Sequence, residues 1–192
     1  MVLRRAAFPG AKRGHVQSVM PAVWAYAACD DEGMVCGGAD NSTAWLQPQL
    51  VLTSSGVVKQ PSWHAHSVIA RGWGDTLLAA TPNRTADSGD ASTLLDVLAL
   101  GRERDGSVMV HATYTGAEPR ALTVKASFGH GATACAGSVV SEVLAAANIS
   151  AINTQHNPSN VIPVQGVVVV VDGVARTTLP PHSLSSFALA PC

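Results

Sequence analysis

Histidine and serine side chains that could do chemistry stand in three short stretches of this sequence. His64 and His66 lie two residues apart, so on a helix they point in different directions, and no third ligand follows at zinc-type spacing. His182 and Ser183 are adjacent, without the oriented acid of a hydrolytic triad. His130 lies between two glycines, but neither a helix start nor a lysine follows, as a phosphate-binding loop requires. We therefore expect neither a metal site nor a cofactor.

The chain contains four cysteines, an even number, which permits a disulfide framework. Cys29 and Cys36 are close enough in sequence to close a small disulfide loop, and they lack the second pair that a zinc site would need. The sequence leaves the pairing of Cys135 and Cys192 open. The alternative is four free, mostly buried thiols.

Three Asn-x-Ser/Thr triplets, at Asn41, Asn83 and Asn148, are candidate glycosylation sites, although such triplets also arise by chance. Residues 1–14 lack an apolar stretch after their arginines and are therefore not a signal peptide as written. Together, the triplets and the cysteines favour a secreted or extracellular protein whose signal lies upstream of Met1.

Composition excludes two classes of partner. Charged residues make up 13% of the 192 residues, against roughly 25% in ordinary globular domains, and the net charge is −1. The one basic cluster, within residues 4–13, gives little support to nucleic-acid binding. No apolar run approaches the roughly 20 residues that span a bilayer, so no membrane partner is expected. The hydrophobic content of 47% is enough for a sizeable core.

The predicted secondary structure that positions these residues changes along the chain, from a region with a helix to a region of strands. A buried strand and a buried helix explain the apolar run over residues 16–28 equally well. Residues 62–71 are predicted to form a helix, because Pro61 suits a first helical turn and Gly72 suits the position just past the end.

From residue 75 onward the pattern is typical of strands. Residues 108–114 and 122–128 alternate with a period of two, and Asp172-Gly173 within a valine-rich segment indicates a hairpin. Short strands at this spacing predict a β-sandwich. The predicted strands cover residues 76–80, 94–100, 107–114, 122–128, 134–144, 167–175 and 183–189.

A gapped pattern of turn residues crosses the C-terminal region. The chain has Asn-Thr at 153–154, Asn-Pro at 157–158, Val161, Pro163 and, after the hairpin, Leu-Pro-Pro-His-Ser at 179–183. This pattern resembles the end of the C-terminal β-sandwich in the alpha-L-arabinofuranosidases of glycoside hydrolase family 51. Either half alone would fit any β-rich domain, whereas both halves in order favour the family.

The resemblance extends into the first half of the chain. Trp45-Leu-Gln-Pro48-Gln49 and Pro61-Ser-Trp63 stand where the family has Trp-x-Pro-Asp and Pro-Ser-Tyr, with one extra residue between Trp45 and Pro48. The resemblance implies a mainly β fold: residues 1–74 resemble the last, helix-containing unit of a (β/α)8 barrel, and residues 75–192 form the C-terminal β-sandwich.

The resemblance also says what chemistry to look for. Enzymes of this family retain configuration, which takes two carboxylates about 5–5.5 Å apart. The acid/base Glu follows an Asn on a barrel strand, and the nucleophile Glu ends a later one. No glutamate of this chain follows an Asn or ends a strand of a β/α repeat, and we expect solvated carboxylates and no catalytic residue. The four glutamates are Glu32, Glu103, Glu118 and Glu142.

Trp45 is the candidate substrate-binding residue. It stands near the loop after the final barrel-like strand, and barrel sites are built by such loops. The chain is accordingly predicted to be the C-terminal region of an enzyme that hydrolyses terminal alpha-L-arabinofuranosides in L-arabinose metabolism. Its partners would be an upstream catalytic barrel and an arabinose-containing polysaccharide.

The alternative is a free-standing β-sandwich that binds carbohydrate or protein. Such a module should place aromatic side chains outward, whereas Tyr114, Phe128 and Phe187 are few and are predicted to face inward. In the family the sandwich is completed by strands from the N-terminus of the longer chain. The resemblance therefore predicts an unpaired strand edge here, and with it self-association.

Overall fold

The computed structural model describes residues 2–4, 25–27, 49–53, 56–81 and 94–192. By their contacts, residues group into a larger unit (1–7, 68–149 and 163–192) and a smaller unit (8–67 and 150–162). The domain boundary after residue 74, which the resemblance implies, stays a prediction. No helix within the described stretches has the length and apolar character needed to cross a bilayer.

The larger unit is a curled sheet of short strands. Its strands are β1 (Val2–Arg4), β5 (Thr76–Thr81), β6 (Leu95–Gly101), β7 (Val108–Tyr114), β8 (Arg120–Ala126), β9 (Gly137–Ala145), β10 (Val164–Val171), β11 (Val174–Leu179) and β12 (Ser183–Leu189). Within the described residues they follow the order β1-β5-β6-β7-β12-β9-β10-β11-β8, and the sheet closes on itself. The mainly β fold with a C-terminal β-sandwich domain is thus confirmed.

In the larger unit, the first strand corrects the prediction that the sandwich has an unpaired edge. Val2–Arg4 pairs in antiparallel with β5 and in parallel with β8, and it completes the ring of strands. The prediction failed because it assumed that the completing strand could come only from a longer N-terminal region. Three residues near the start of this chain supply backbone partners for both neighbouring strands.

The core of the larger unit lies inside this closed sheet. Alternate residues of β7, including Val110 and Tyr114, point inward and meet the inward residues of β12, where Phe187 stands opposite Val110. Val110 is fully buried, and Phe187 is 2% exposed. The period-2 pattern in the sequence therefore identified the residues that face the core, although Met109 and His111 on the other face of β7 are buried as well.

The hairpin between β10 and β11 is confirmed. Asp172 and Gly173 both have positive φ, of 50° and 72°, as a two-residue turn of the right twist requires. This turn divides the segment predicted as one strand over residues 167–175 into two antiparallel strands. The last strand, β12, has the predicted bounds.

The smaller unit combines a sheet with the start of a helix. Its sheet has the order β2-β3-β4, formed by β2 (Ala25–Ala27), β3 (Leu50–Thr53) and β4 (Gly56–Lys59), with β2 parallel to β3 and β4 antiparallel to it. Helix α1 (Pro61–Arg71) begins one residue before its predicted start, at the proline, whose missing N–H costs nothing in a first turn. The helix begins in this unit and ends in the larger one.

Candidate functional site

Five of the residues predicted for a site lie outside the described residues. They are Trp45, Cys29, Cys36, Asn41 and Asn83. Asn148 is described: it lies at an exposed bend after β9 and is followed by Ile149, which is 76% exposed. This surface position suits a glycosylation site, and the modification itself stays a prediction.

The Asn-Thr-x-x-Asn-Pro motif folds into a loop whose two ends are joined by the buried side chain of Asn153. This side chain is 1% exposed. Its Oδ1 accepts a hydrogen bond from the Val161 N–H at 2.7 Å, and its Nδ2 donates to the Val161 carbonyl at 3.0 Å and to the Lys59 carbonyl at 2.7 Å. One amide thus satisfies both polar groups of the Val161 backbone, together with one carbonyl of β4.

Gln60 completes this network from the other side. Its Nε2 donates to the Asn153 carbonyl at 2.8 Å, and its Oε1 accepts from the Asn153 N–H at 3.3 Å. Gln60 is itself buried, and it lies 93 residues away along the chain. The side chain of Gln60 therefore pairs with the backbone of Asn153 as a neighbouring strand would.

Inside the loop, the remaining motif residues form turns. Thr154 Oγ1 accepts a hydrogen bond from the Asn157 N–H at 3.0 Å, and the Thr154 N–H donates to the Asn157 carbonyl at 3.2 Å. Asn160 Nδ2 donates to the Ile152 carbonyl at 2.9 Å. These residues hold the shape of the loop.

The Leu-Pro-Pro-His-Ser segment also has a local explanation. Ser183 Oγ donates to the Pro180 carbonyl at 2.7 Å, and His182 has a positive φ of 45°, so the segment turns sharply into β12. Ser183 is buried and already bonded. The Ser183 hydroxyl therefore stabilises the corner.

Three of the four glutamates lie within the described residues. Glu142 on β9 forms a two-pronged ion pair with Arg71 at the end of α1: Arg71 Nε donates to one carboxylate oxygen at 3.2 Å, and an Nη2 atom donates to the other. Glu103 and Glu118 are exposed at turns, and Glu32 lies outside the described residues. The Arg71–Glu142 pair thus joins the end of α1 to β9.

The end of helix α1 is held by two further donors. Arg102 Nη2 donates to the Arg71 carbonyl at 3.3 Å, and His111 Nε2 lies 3.2 Å from the Gly72 carbonyl. The last carbonyls of a helix have no partner within it and carry partial negative charge, so cationic and N–H donors stabilise them. A groove of about 510 Å³ lies beside this helix end, with Arg71, Gly72 and Arg102 among its lining residues.

A disulfide that the sequence left open joins Cys135 to Cys192, with Cα atoms 4.9 Å apart. Backbone bonds flank it, since the Cys135 N–H donates to the Ala190 carbonyl and the Cys192 N–H to the Thr133 carbonyl, both at 3.0 Å. The bond closes a segment with a sequence separation of 57, which by chain entropy stabilises the fold by about 4 kcal/mol. The C-terminal residues are therefore fixed to the sheet.

The paired histidines of α1 have separate neighbours. His66 Nδ1 lies 2.8 Å from Gln49 Nε2, and the ring of His64 packs edge-on against Trp63 at 5.1 Å between centroids. Within the described parts of the chain, no group of three His, Cys, Asp or Glu side chains is placed to hold a metal ion.

Comparison with known proteins gives a family and a set of similar folds. The profile of the family described as alpha-L-arabinofuranosidase C-terminal domain matches residues 41–183. An arabinose-bound GH51 alpha-L-arabinofuranosidase is 19% identical, with a TM-score of 0.62 over 79% of this chain. The GH51 arabinofuranosidase from Xanthomonas axonopodis pv. citri is 24% identical, with a TM-score of 0.59 over 75% of this chain.

A third similar structure is the alpha-L-arabinofuranosidase from Thermotoga maritima in an arabinose complex, which is 18% identical, with a TM-score of 0.59 over 74% of this chain. This chain covers 22%, 29% and 31% of these three proteins, in the order given, and thus spans less than a third of their lengths. No curated protein sequence matches the chain.

Proposed function

The chain belongs to the alpha-L-arabinofuranosidase C-terminal domain family, and from this premise we propose that it works as the C-terminal part of a GH51-type enzyme. The resemblance drawn from the motifs is confirmed, and the match over residues 41–183 is the observation that carries the proposal. The intact enzyme would remove terminal arabinofuranose from arabinose-containing polysaccharides.

The chain itself is proposed to lack the catalytic pair. Retention of configuration needs two carboxylates about 5–5.5 Å apart, one of them kept protonated. Glu142 is ion-paired with Arg71 at the end of α1. The proposed role of Glu142 is therefore to attach the helix end to β9.

The test is hydrolysis of a chromogenic alpha-L-arabinofuranoside by the purified chain. We expect no turnover above the buffer rate, because the chain supplies neither the acid nor the nucleophile. Four variants serve as controls: Glu32→Gln, Glu103→Gln, Glu118→Gln and Glu142→Gln. Turnover that one of these changes abolishes would show that the chain is an enzyme by itself.

The gene upstream of the Met1 codon gives a second test. A (β/α)8 barrel takes roughly 250 residues, so a GH51-type enzyme should encode it there in the same reading frame, with an Asn-Glu motif on a barrel strand. A stop codon close upstream, in all available transcripts, would contradict the proposal and favour a free-standing protein.

One observation favours the alternative, a free-standing β-sandwich that binds carbohydrate or protein. Val2–Arg4 closes the sheet, so the described strands do not require one from outside the chain. Against it, the aromatic residues on the described strands of the larger unit, Tyr114 and Phe187, are buried in the core. Without an outward aromatic platform on these strands, stacking against a sugar ring has little support.

Secretion is the proposed localisation. The Cys135–Cys192 bond supports it, because disulfides persist in oxidising compartments, and so does the exposed position of Asn148. In protein made through a eukaryotic secretory pathway, mass mapping should find Cys29 bonded to Cys36 and a glycan on Asn148. Free thiols at both Cys29 and Cys36 would contradict the predicted small loop.

A further inference from the structure

His111 lies on the outer face of β7, where the end of helix α1 covers it. Its neighbours across the sheet are Leu98 on β6 and Ser186 on β12. Its ring is 3% exposed, although the alternation of β7 turns it away from the core. Because the Gly72 carbonyl can only accept, the ring nitrogen that faces it at 3.2 Å carries the proton, so the neutral ring satisfies this contact.

The backbone at Gly72 packs closely against His111. A Cβ atom added to Gly72 would lie 2.5 Å from Cε1 of His111, 2.9 Å from Cε of Met109 and 3.0 Å from Oγ of Ser186. The second ring nitrogen, Nδ1, is buried and has no hydrogen-bond partner among the described residues. A proton added to Nδ1 would therefore become a buried donor without an acceptor, which costs about 1–3 kcal/mol or more when the group is charged.

The charges around the ring reinforce this cost. Burial lowers the pKa of His111, the contact with the Gly72 carbonyl raises it, and Arg102 in the turn after β6 lowers it, with a net result below 6.5. Arg71 on α1 is ion-paired with Glu142 of β9. Asp96 lies on the same face of the sheet as His111, two residues before Leu98 on β6, and it is exposed. On β12, the residue opposite His111 is the uncharged Ser186.

We propose that His111 is a pH-sensitive lock, which holds the end of helix α1 on the sheet at neutral pH and releases it in mildly acidic surroundings. When the helix end is released, the ring reaches water and binds a proton at its ordinary affinity. The released form thus binds more protons than the locked form. The lock is fully in place above about pH 6.5 and is lost as the pH falls below that value.

Hydrogen exchange of the helix-end amides measures the lock directly. The Gly72 N–H donates to the Val68 carbonyl at 3.2 Å, and the Trp73 N–H donates to the Ala70 carbonyl at 3.4 Å. At pH 5, after correction for intrinsic exchange rates, we expect both amides to lose protection relative to pH 7.5. The loss approaches about tenfold for each unit by which the locked pKa lies below that of the released ring.

The variant His111→Gln distinguishes the effect of protonation from the effect of packing. Glutamine keeps an N–H donor for the Gly72 carbonyl but does not titrate, so its helix-end protection should be the same at both pH values. His156→Gln is the matched control, since the same change at an exposed loop position should leave the acid-induced loss intact. An equal loss in His111→Gln and in the native chain would overturn the proposal.

A measurement on the native chain guards against a variant that does not fold. The ring signal of His111, followed by NMR from pH 8 to 4.5, should titrate below 6.5 and in step with the loss of helix-end protection. A His111 ring that titrates at or above 6.5 would overturn the proposal whatever the variants do.

Discussion

Two polar side chains are buried almost equally deeply, yet they stand in opposite hydrogen-bonding situations. Asn153, in the loop of the smaller unit, is 1% exposed, and its amide uses both Nδ2 protons and its oxygen. His111, under the helix end of the larger unit, is 3% exposed and leaves one nitrogen unpaired among the described residues. The first contributes at every pH, whereas the contribution of the second depends on a proton.

This difference shows that burial alone does not determine the role of a polar residue. A buried group whose partners are all present fixes one conformation, because every alternative leaves a donor or acceptor unpaired. A buried titratable group with one partner missing is tolerated only in its neutral form. The predictions that follow test this comparison, from the largest expected effect to the smallest.

Removing the Asn153 amide should have the largest effect. Asn153→Ala leaves the Lys59 carbonyl and both backbone groups of Val161 without their partners, and we expect a loss of about 3 kcal/mol in the free energy of unfolding. Chemical denaturation measures the loss, and proteolysis should cut residues 153–161 faster. Asn160→Ala is the control: it removes one exposed bond and should cost less than about 1 kcal/mol. Equal losses of unfolding free energy in the two variants would mean that the buried Asn153 network contributes no more than a single exposed hydrogen bond.

Filling the space at Gly72 should have the next largest effect. Gly72→Ala places a methyl group 2.5 Å from the His111 ring, and overpacking of this kind costs about 2 kcal/mol. The same change at Gly129, whose Cβ position has nothing within 4 Å, should alter stability by less than about 0.5 kcal/mol. If Gly72→Ala proved as stable as Gly129→Ala in thermal melts, the close packing over His111 would be disproved.

The pH dependence of global stability should be smaller. Because burial lowers the pKa of His111, the unfolded state binds the proton more readily, and stability falls as the pH drops below about 6.5. The contribution of His111 to this fall should approach about 1.4 kcal/mol for each unit of lowering. Denaturant titrations at pH 7.5, 6.5 and 5.5 should show a steeper fall for the native chain than for His111→Gln. If stability fell equally with pH in the native chain and in His111→Gln, His111 would not be the cause of the fall.

Breaking the Arg71–Glu142 pair should have the smallest effect. Both side chains are partly exposed, at 54% and 34%, so Arg71→Met should cost about 0.5 kcal/mol, and the difference should shrink in high salt. Arg104→Met, which removes a looser pair with Asp105 at 75% and 45% exposure, should cost still less. A loss above about 2 kcal/mol for Arg71→Met would mean that this pair contributes far more to holding the helix end than its exposure implies.

The sequence predicted the strands well where side-chain pattern and turn chemistry agree. The bounds of β12 and the turn at Asp172-Gly173 follow from residues that are neighbours in the chain. The sequence predicts one strand over residues 167–175, because its valines continue up to the turn and beyond it, whereas the structure has two. Local signals therefore determine which residues form strands more reliably than where each strand ends.

The roles of Asn153 and His111 could not be predicted, for different reasons. The motif identified Asn153, but its buried partner Gln60 lies 93 residues away, and nothing in either stretch indicates the pairing. The alternation of residues 108–114 placed His111 on the outer face, which usually means exposure. The end of α1 covers this part of the face through tertiary packing, which the local sequence pattern does not predict.

The bond between Cys135 and Cys192 has a consequence for limited digestion. The loop over residues 153–161 lies between these two cysteines in sequence, and its residues 156–160 are exposed to proteases. A single cut there would divide the chain into two pieces that remain covalently joined. A nicked molecule would therefore migrate as one band without reductant and as two bands with it, and β10, β11 and β12 would stay attached to the rest of the sheet.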